Sequence, residues 1–297
     1  MATPSFPESL VGALRCVGDS EGLAWDASER DSLLCGSGAH RYEVEGRIVR
    51  VGLDDLHPES MREQSIRDQE ASNHGVPSGD TPFDLMEIGA TMEALALKPE
   101  HCLLELGSGR GRFTKVVASV CKRVLGVDIS LGSLRLASDE VGDREVGFIH
   151  GDATVPHVAD GSFDRVLGTL TSNLPDKPLR QASYHAAARA LSPGGRFVFT
   201  THFFGLRARS QGESRDGRYS EEGIYRRLLE PSEVRDEISP YFGKVSVRPI
   251  QVVVPLSMRL GLPLVPLDRL ARRIPGLRNF GHLLLVDARE PRVDHDR

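Results

Sequence analysis

Residues 101–112 read HCLLELGSGRGR, and no other stretch of the chain narrows its fold as far. Cys102 to Leu106 is a short apolar run of the kind that forms a strand covered on both faces in a parallel sheet. Glu105 sits near its end, and Gly107, Gly109 and Gly111 then alternate with Ser108 and Arg110. Phe113, Val116, Val117, Val120 and Cys121 follow at helical spacing and predict a helix over 112–122. Strand, glycine turn and helix N-terminus is the arrangement in which an open α/β sheet holds a ligand at the carboxyl ends of its strands. The dinucleotide fingerprint is G-x-G-x-x-G, whereas this stretch reads E-x-G-x-G-x-G, with the third glycine one residue early.

The stretch resembles motif I of the class I S-adenosylmethionine (SAM)-dependent methyltransferases. Three further features follow in family order. An apolar run at 124–127 ends in Asp128, an acid placed to accept both ribose hydroxyls. Residues 146–153, VGFIHGDA, resemble the third strand and the acid, Asp152, set against the adenine amino group. Residues 191–200, LSPGGRFVFT, resemble the helix end, Pro-Gly-Gly turn and fifth strand. The resemblance is strong over about 100–205 and loose to about 288. It implies SAM as cofactor, with Glu105 helping to hold the ammonium and Gly107, Ser108, Gly109 and Gly111 letting the backbone approach. Asp128, Ile129, Asp152, Ala153 and Thr169 complete the implied cofactor set.

Strands are expected at 102–106, 123–127, 146–150, 163–168, 196–201, 244–254 and 282–287, with helices near 130–140, 178–191 and 232–239. Alternating β and α elements predict an α/β fold, a Rossmann-like seven-stranded sheet with helices on both faces. The resemblance makes the last strand antiparallel. A small N-terminal β-hairpin segment is added, since 42–51 alternate around Glu45-Gly46. The expected domains are a ribbon-like segment at 1–56, a linker and N-terminal cap helices at 57–99, the methyltransferase core at 100–290, and a tail at 291–297. Residues 57–80 show no periodic apolar face and read as polar linker and loop. Thr81 then caps a helix with Pro82 at its first position. His74 and Phe83 are possible lid residues. Within the core, 205–230 and 256–280 are lid or insertion segments, and 205–220 reads as a mobile loop from its Gly, Arg and Ser content.

The N-terminal 56 residues resemble the zinc ribbon that precedes some class I methyltransferases, in which C-x-x-C occurs twice. Here Cys16 is followed three residues on by Asp19, and Cys35 by Gly38, so half of the thiolates are missing. Cys16, Asp19, Cys35 and His40 form a mixed set for a tetrahedral ion. The missing thiolates nevertheless predict a ribbon without metal.

Net charge of −5 gives no global basic footprint for nucleic acid, so no DNA partner is expected. No run approaches the ~20 apolar residues of a membrane span, and residues 1–10 show no secretory pattern. Cys102 and Cys121 fall in the predicted core, and only four cysteines are present, which fits a reduced, cytoplasmic protein.

A small-molecule acceptor is the leading expectation, methylated on O, N or C and plausibly in secondary metabolism. The alternatives are an RNA base methyltransferase and a cofactor-binding protein of the same fold without methyl transfer. His202, at the end of strand five, is the candidate base. Asn173, Tyr225 and Arg226 are candidate substrate contacts. The 173–176 stretch, NLPD, lacks the first proline and the aromatic that base-amino methyltransferases place there.

Overall fold

The computed structural model describes residues 5–29, 31–53, 56–170, 173–218, 223–253 and 257–292. A short helix Glu8–Val11 (α1) leads into strands Leu23–Trp25 (β1), Ser32–Cys35 (β2), Arg41–Glu45 (β3) and Ile48–Arg50 (β4). Helices Pro58–Asn73 (α2) and Pro82–Leu95 (α3) precede the glycine-turn strand Cys102–Leu106 (β5). Then come Thr114–Val117 (α4), Arg123–Asp128 (β6), Leu131–Glu140 (α5), Glu145–His150 (β7), Phe163–Gly168 (β8), Lys177–Ala190 (α6) and Leu191–His202 (β9). Leu206–Ser210 (α7), Asp216–Arg218 (β10), Tyr225–Arg227 (β11), Pro231–Ile238 (α8), Phe242–Ile250 (β12), Leu264–Ala271 (α9) and Leu283–Pro291 (β13) complete the order.

The seven expected core strands lie side by side as β7-β6-β5-β8-β9-β13-β12. β5 to β9 run parallel, and β13 inserts antiparallel between β9 and β12. All five residues of β5 are buried, which is why that strand reads as an unbroken apolar run. Alternate residues feed the two faces. Leu104, Leu125, Val166, Phe197 and Phe199 pack on one side with Tyr184 of α6 and Ile238 of α8. Leu103, Val124, Phe148, Leu167 and Val198 pack on the other with Ala90 of α3 and Leu134 of α5.

Four expectations are corrected. The N-terminal hairpin is not a separate ribbon: β4 pairs in parallel with β7, so β1 to β4 extend one continuous sheet to eleven strands. Residues 57–80 are not wholly linker, because α2 fills 58–73. No α2 side chain is fully buried, so it carried no apolar period to read. Its usable signals were local: Pro58 at the first position and the Glu63–Arg67 pair four residues apart. The helix after the glycine turn is one turn long, 114–117, and 118–120 continue as turn.

The 205–220 stretch is folded as far as it is described, into α7 and the hairpin β10-β11. Charge pairs hold it, among them Arg207 with Glu213 and Arg227 with Asp216. Residues 219–222 of that stretch, 254–256 at the end of the expected sixth strand and the start of the second insertion, and 293–297 of the tail lie outside the described residues. Among the described residues no helix is long and apolar enough to cross a membrane.

Candidate functional site

The carboxyl ends of β5, β6, β7 and β8 surround a cavity of about 250 Å³. The β5–α4 turn forms its floor. Gly107, Gly109 and Gly111 take φ values of +77°, +51° and +82°, in the left-handed region that favours glycine. A Cβ on Gly107 or Gly109 would meet no protein atom within 4 Å, so these two positions present bare backbone to the cavity. At Gly126 of β6 the need is steric, since a Cβ there would stand 2.9 Å from Ser108 Oγ and 2.8 Å from the Phe148 ring.

Glu105 is 1% exposed and accepts a 2.7 Å hydrogen bond from Thr114 Oγ1. Burial pushes its carboxyl up to about 8, against the lowering effects of Thr114 and Arg112. Asp128 closes the loop: Oδ2 accepts from the amide of Gly109 at 2.7 Å and Oδ1 from that of Ser130 at 2.9 Å. Burial raises its pKa, while the two amides work to lower it. Asp152 uses Oδ1 to accept from the Thr154 amide at 2.7 Å and lines the cavity with Ala153 and Ile129. Thr169 and Asn173 close the β8 side. Leu170, between them, is left-handed at φ +54°, and its amide donates to Thr200 Oγ1. That is the kind of strained residue that gathers at functional sites.

Helix α2 is the roof; cap helices were expected within 57–99, but none of its residues was among the candidates. Ser60, Glu63 and Arg67 face the cavity. Asp68 Oδ1 fixes the helix by accepting from Ser130 Oγ at 2.7 Å and from the Gly132 amide at 2.9 Å. Asn173 Nδ2 reaches Glu63 Oε1 at 3.4 Å, and Arg67 pairs with the same carboxylate at 3.3 Å. Burial raises the Glu63 carboxyl, offset by Arg67 and assisted by Asp128. Arg112, directly after the glycine turn, donates to Asp84 at 2.7 Å and Glu87 at 2.9 Å, anchoring α3 beside the loop. Glu87 also accepts from Thr200 Oγ1 of β9 at 2.9 Å.

The other candidates lie elsewhere. His202 does not line the cavity. Burial drops its pKa to about 4, with Arg226 pushing the same way, so its ring is neutral at neutral pH and a poor proton acceptor. Tyr225 donates to Asp216 Oδ1 at 2.5 Å, and Arg226 pairs with Glu213 at 2.9 Å. Both are engaged within their own insertion. Phe83 packs on the His282 ring at 5.1 Å rather than on the cavity.

The residues fit an adenosyl ligand with a charged amino-acid end. A bare glycine cradle, acids at the ends of three consecutive strands, and the buried Oγ of Ser108 and Oδ1 of Asn173 without protein partners all face or adjoin this cavity. This fold and cavity are those of a domain that holds an adenosyl cofactor at the carboxyl edge of its sheet. The methyltransferase-domain family matches residues 104–199. A protein-L-isoaspartate O-methyltransferase of Myxococcus xanthus is 30% identical over 155 residues, 51% of this chain and 68% of its own length. The chain belongs to the class I SAM-dependent methyltransferases, whose cofactor is SAM.

A demethylmenaquinone methyltransferase of Renibacterium salmoninarum is 30% identical over 132 residues, 41% of this chain. The chain spans about half, 53%, of that relative's length. Among solved structures, a DhpI–SAM–HEP complex superposes with a TM-score of 0.56 at 18% identity, covering 79% of this chain and 99% of the other. The N-methyltransferase NodS from Bradyrhizobium japonicum WM9, with S-adenosylhomocysteine, gives 0.55 at 16% identity over 78% and 100%. These last two are likenesses of fold.

Proposed function

We propose that the chain transfers the methyl group of SAM to a small-molecule acceptor that enters between α2 and the end of β8. The observation supporting this most directly is the roof. Glu63 and Asn173 meet across the cavity, and four carboxylates (Glu63, Glu105, Asp128 and Asp152) line it. The three arginines that also line it, Arg67, Arg110 and Arg112, are already paired with Glu63, Glu70, Asp84 and Glu87. A polyanion such as RNA would find these arginines already engaged by carboxylates, which disfavours the RNA base reading. By their names, the relatives act on a protein isoaspartyl residue and on a demethylated quinone. A roofed cavity suits a compact ring or chain acceptor better than a polypeptide.

A bound sulfonium supplies an already activated methyl, so the protein's task is placement. In this reading the glycine loop admits the ligand, Glu105 faces its ammonium, Asp128 accepts from its ribose and Asp152 from its adenine. Helix α2 keeps water out. Glu63, raised by burial, takes the proton of a hydroxyl or ammonium acceptor while Asn173 orients the acceptor.

The test is incubation with labelled SAM and, in parallel arms, a metabolite extract, RNA and a protein fraction. A mass gain of one CH2 confined to the metabolite arm supports the proposal. Label in RNA or protein alone overturns it. Cofactor binding by calorimetry with no label in any arm favours a protein that keeps the fold without methyl transfer.

A further inference from the structure

Cys16, Asp19, Cys35 and His40 come together on the hairpin edge of the sheet, far in sequence from the cofactor loop. Each offers one ligand atom, and the four lie within 4.8 Å of one another. Cys16 Sγ is 3.3 Å from His40 Nδ1, and Cys35 Sγ is 3.8 Å from the same nitrogen. Asp19 Oδ2 is 3.6 Å from His40 Nδ1 and 3.7 Å from Cys35 Sγ. With zinc bonds of roughly 2.3 Å to sulfur and 2.0–2.2 Å to nitrogen or oxygen, the edges of a tetrahedron span about 3.3–3.8 Å. Four of the six separations fall in that window with no ion imposed, and all six are within 4.8 Å.

The surroundings are built for the same purpose. Tyr42 Oη donates to Cys16 Sγ at 3.1 Å, and the His40 amide donates to Cys35 Sγ at 3.2 Å. Ser37 Oγ donates to Asp19 Oδ2 at 2.6 Å, and the Glu21 amide donates to Oδ1 at 3.0 Å. Donors aimed at thiolate and carboxylate ligands are the outer contacts that orient a metal's ligands. Gly18 is required beside them, because a Cβ there would lie 2.5 Å from His40 Cε1 and push the ring away.

We propose that these residues bind one Zn²⁺ through two thiolates, one carboxylate and a neutral imidazole, releasing the two thiol protons. This runs against the expectation of a metal-free ribbon. That expectation counted missing cysteines, and the fold puts a carboxylate and an imidazole in their places. Mixed thiolate, imidazole and carboxylate sets with tetrahedral spacing favour zinc over magnesium or calcium. The ion is structural, since all four positions are filled by protein. It also bears on the cofactor cavity. Directly before Cys16, Ala13, Leu14 and Arg15 pair with 157–159: the Arg15 amide donates to His157 O and the Ala159 amide to Ala13 O, each at 2.8 Å. Asp152 and Ala153, a few residues upstream, line the cavity. Zinc therefore holds the strap that carries the third acid.

The full chain, prepared with zinc and without chelator, should hold one zinc by elemental analysis. Cobalt substitution should give tetrahedral visible bands and a thiolate charge-transfer band worth two sulfurs. Asp19→Cys should keep the metal and raise that band by half, whereas Cys35→Ser should halve it. Tyr42→Phe and Ser37→Ala, which keep all four ligands, should weaken zinc about 10–100-fold. Chelation should expose residues 1–56 to protease and weaken SAM binding, and added zinc should restore both. Absence of stoichiometric zinc, an octahedral cobalt spectrum, or a charge-transfer band unchanged in Asp19→Cys each overturns the proposal. If Cys35→Ser fails to fold, the wild-type cobalt spectrum decides alone.

Discussion

The carboxylate of Asp128, at the end of β6, accepts a 2.7 Å hydrogen bond from the amide of Gly109 in the turn after β5. One acid thus shapes the glycine loop and faces the cavity. Losing a charge-assisted acceptor costs about 1.5–3 kcal/mol, roughly ten- to a hundred-fold in affinity. Asp128→Ala removes loop support as well as a ligand contact, so its SAM affinity should fall to the far end of that range. Gly109→Val adds a β-branched side chain at φ +51° in the space left for a ligand. Calorimetry should show binding lost while circular dichroism stays native. Micromolar binding retained by Gly109→Val sinks the loop assignment.

Glu105 predicts a pH dependence. Burial lifts its carboxyl to about 8, so near neutral pH it is mostly protonated in the ligand-free protein. A bound ammonium favours the ionised form. SAM binding at neutral pH should therefore release a proton, seen as binding enthalpies that depend on the buffer's ionisation enthalpy. Affinity should rise with pH up to about 8–9 and then level, as expected for a carboxylate of this pKa. Stability of the free protein should run the other way. A raised folded pKa contributes stability that is complete below the ordinary carboxylate range and lost as pH rises through about 8. Glu105→Gln should flatten both profiles.

The buried pair Arg180–Glu237 predicts a stability effect. Nε and Nη2 of Arg180 reach the two oxygens of Glu237 at 2.9 and 2.8 Å, joining α6 to α8 with side chains 3% and 8% exposed. Removing one partner leaves the other charge buried, at a cost of about 3–5 kcal/mol. Glu237→Ala should lower the unfolding free energy by that amount, read from denaturant titration, without moving SAM affinity in the folded fraction. Arg180→Met with Glu237→Leu should recover most of the loss. A single variant within about 1 kcal/mol of wild type would show that the pair is solvated in solution.

The core and the glycine turn were legible because strands buried on both faces and glycines with forced geometry leave local traces. Glu105, Gly107, Gly109, Asp128 and Asp152 all lie on the cavity. The roof was legible only as cap helices somewhere in 57–99, without its residues. Glu63 and Arg67 sit on a helix without an apolar stripe, and what places them over the cavity is Asp68 meeting Ser130 and Gly132, more than sixty residues away. His202 misled because strand ends at a sheet's ligand side attract functional readings. Only the folded chain shows that it stands off the cavity, with Arg226 and desolvation both holding its pKa down. The tetrad of Cys16, Asp19, Cys35 and His40 was readable as a set of residue types, but its geometry depends on hairpin pairing and on Gly18.

The last prediction concerns the insertion at 205–230. Among the described residues its hairpin reaches the roof where Arg218 meets Glu59 at the start of α2, one residue before Ser60 of the cavity. Both side chains are 27% exposed, so the pair is worth no more than about 1 kcal/mol and is suited to opening. Within the hairpin Tyr225 and Arg227 meet Asp216, and Arg215 and Arg227 tie it to Glu233 of α8. It should therefore pivot on α8, with Arg218–Glu59 as the latch that closes it over the acceptor. Glu59→Gln should speed tryptic cleavage after Arg215 and Arg218 in the free protein and raise the acceptor KM several-fold. SAM affinity should change less than about twofold, since latch energies of this size act on the acceptor side alone. SAM with acceptor should slow cleavage of the wild type more than SAM alone. Equal cleavage with and without both ligands, or an acceptor KM unmoved in Glu59→Gln, would reduce the hairpin to a static brace on the sheet edge.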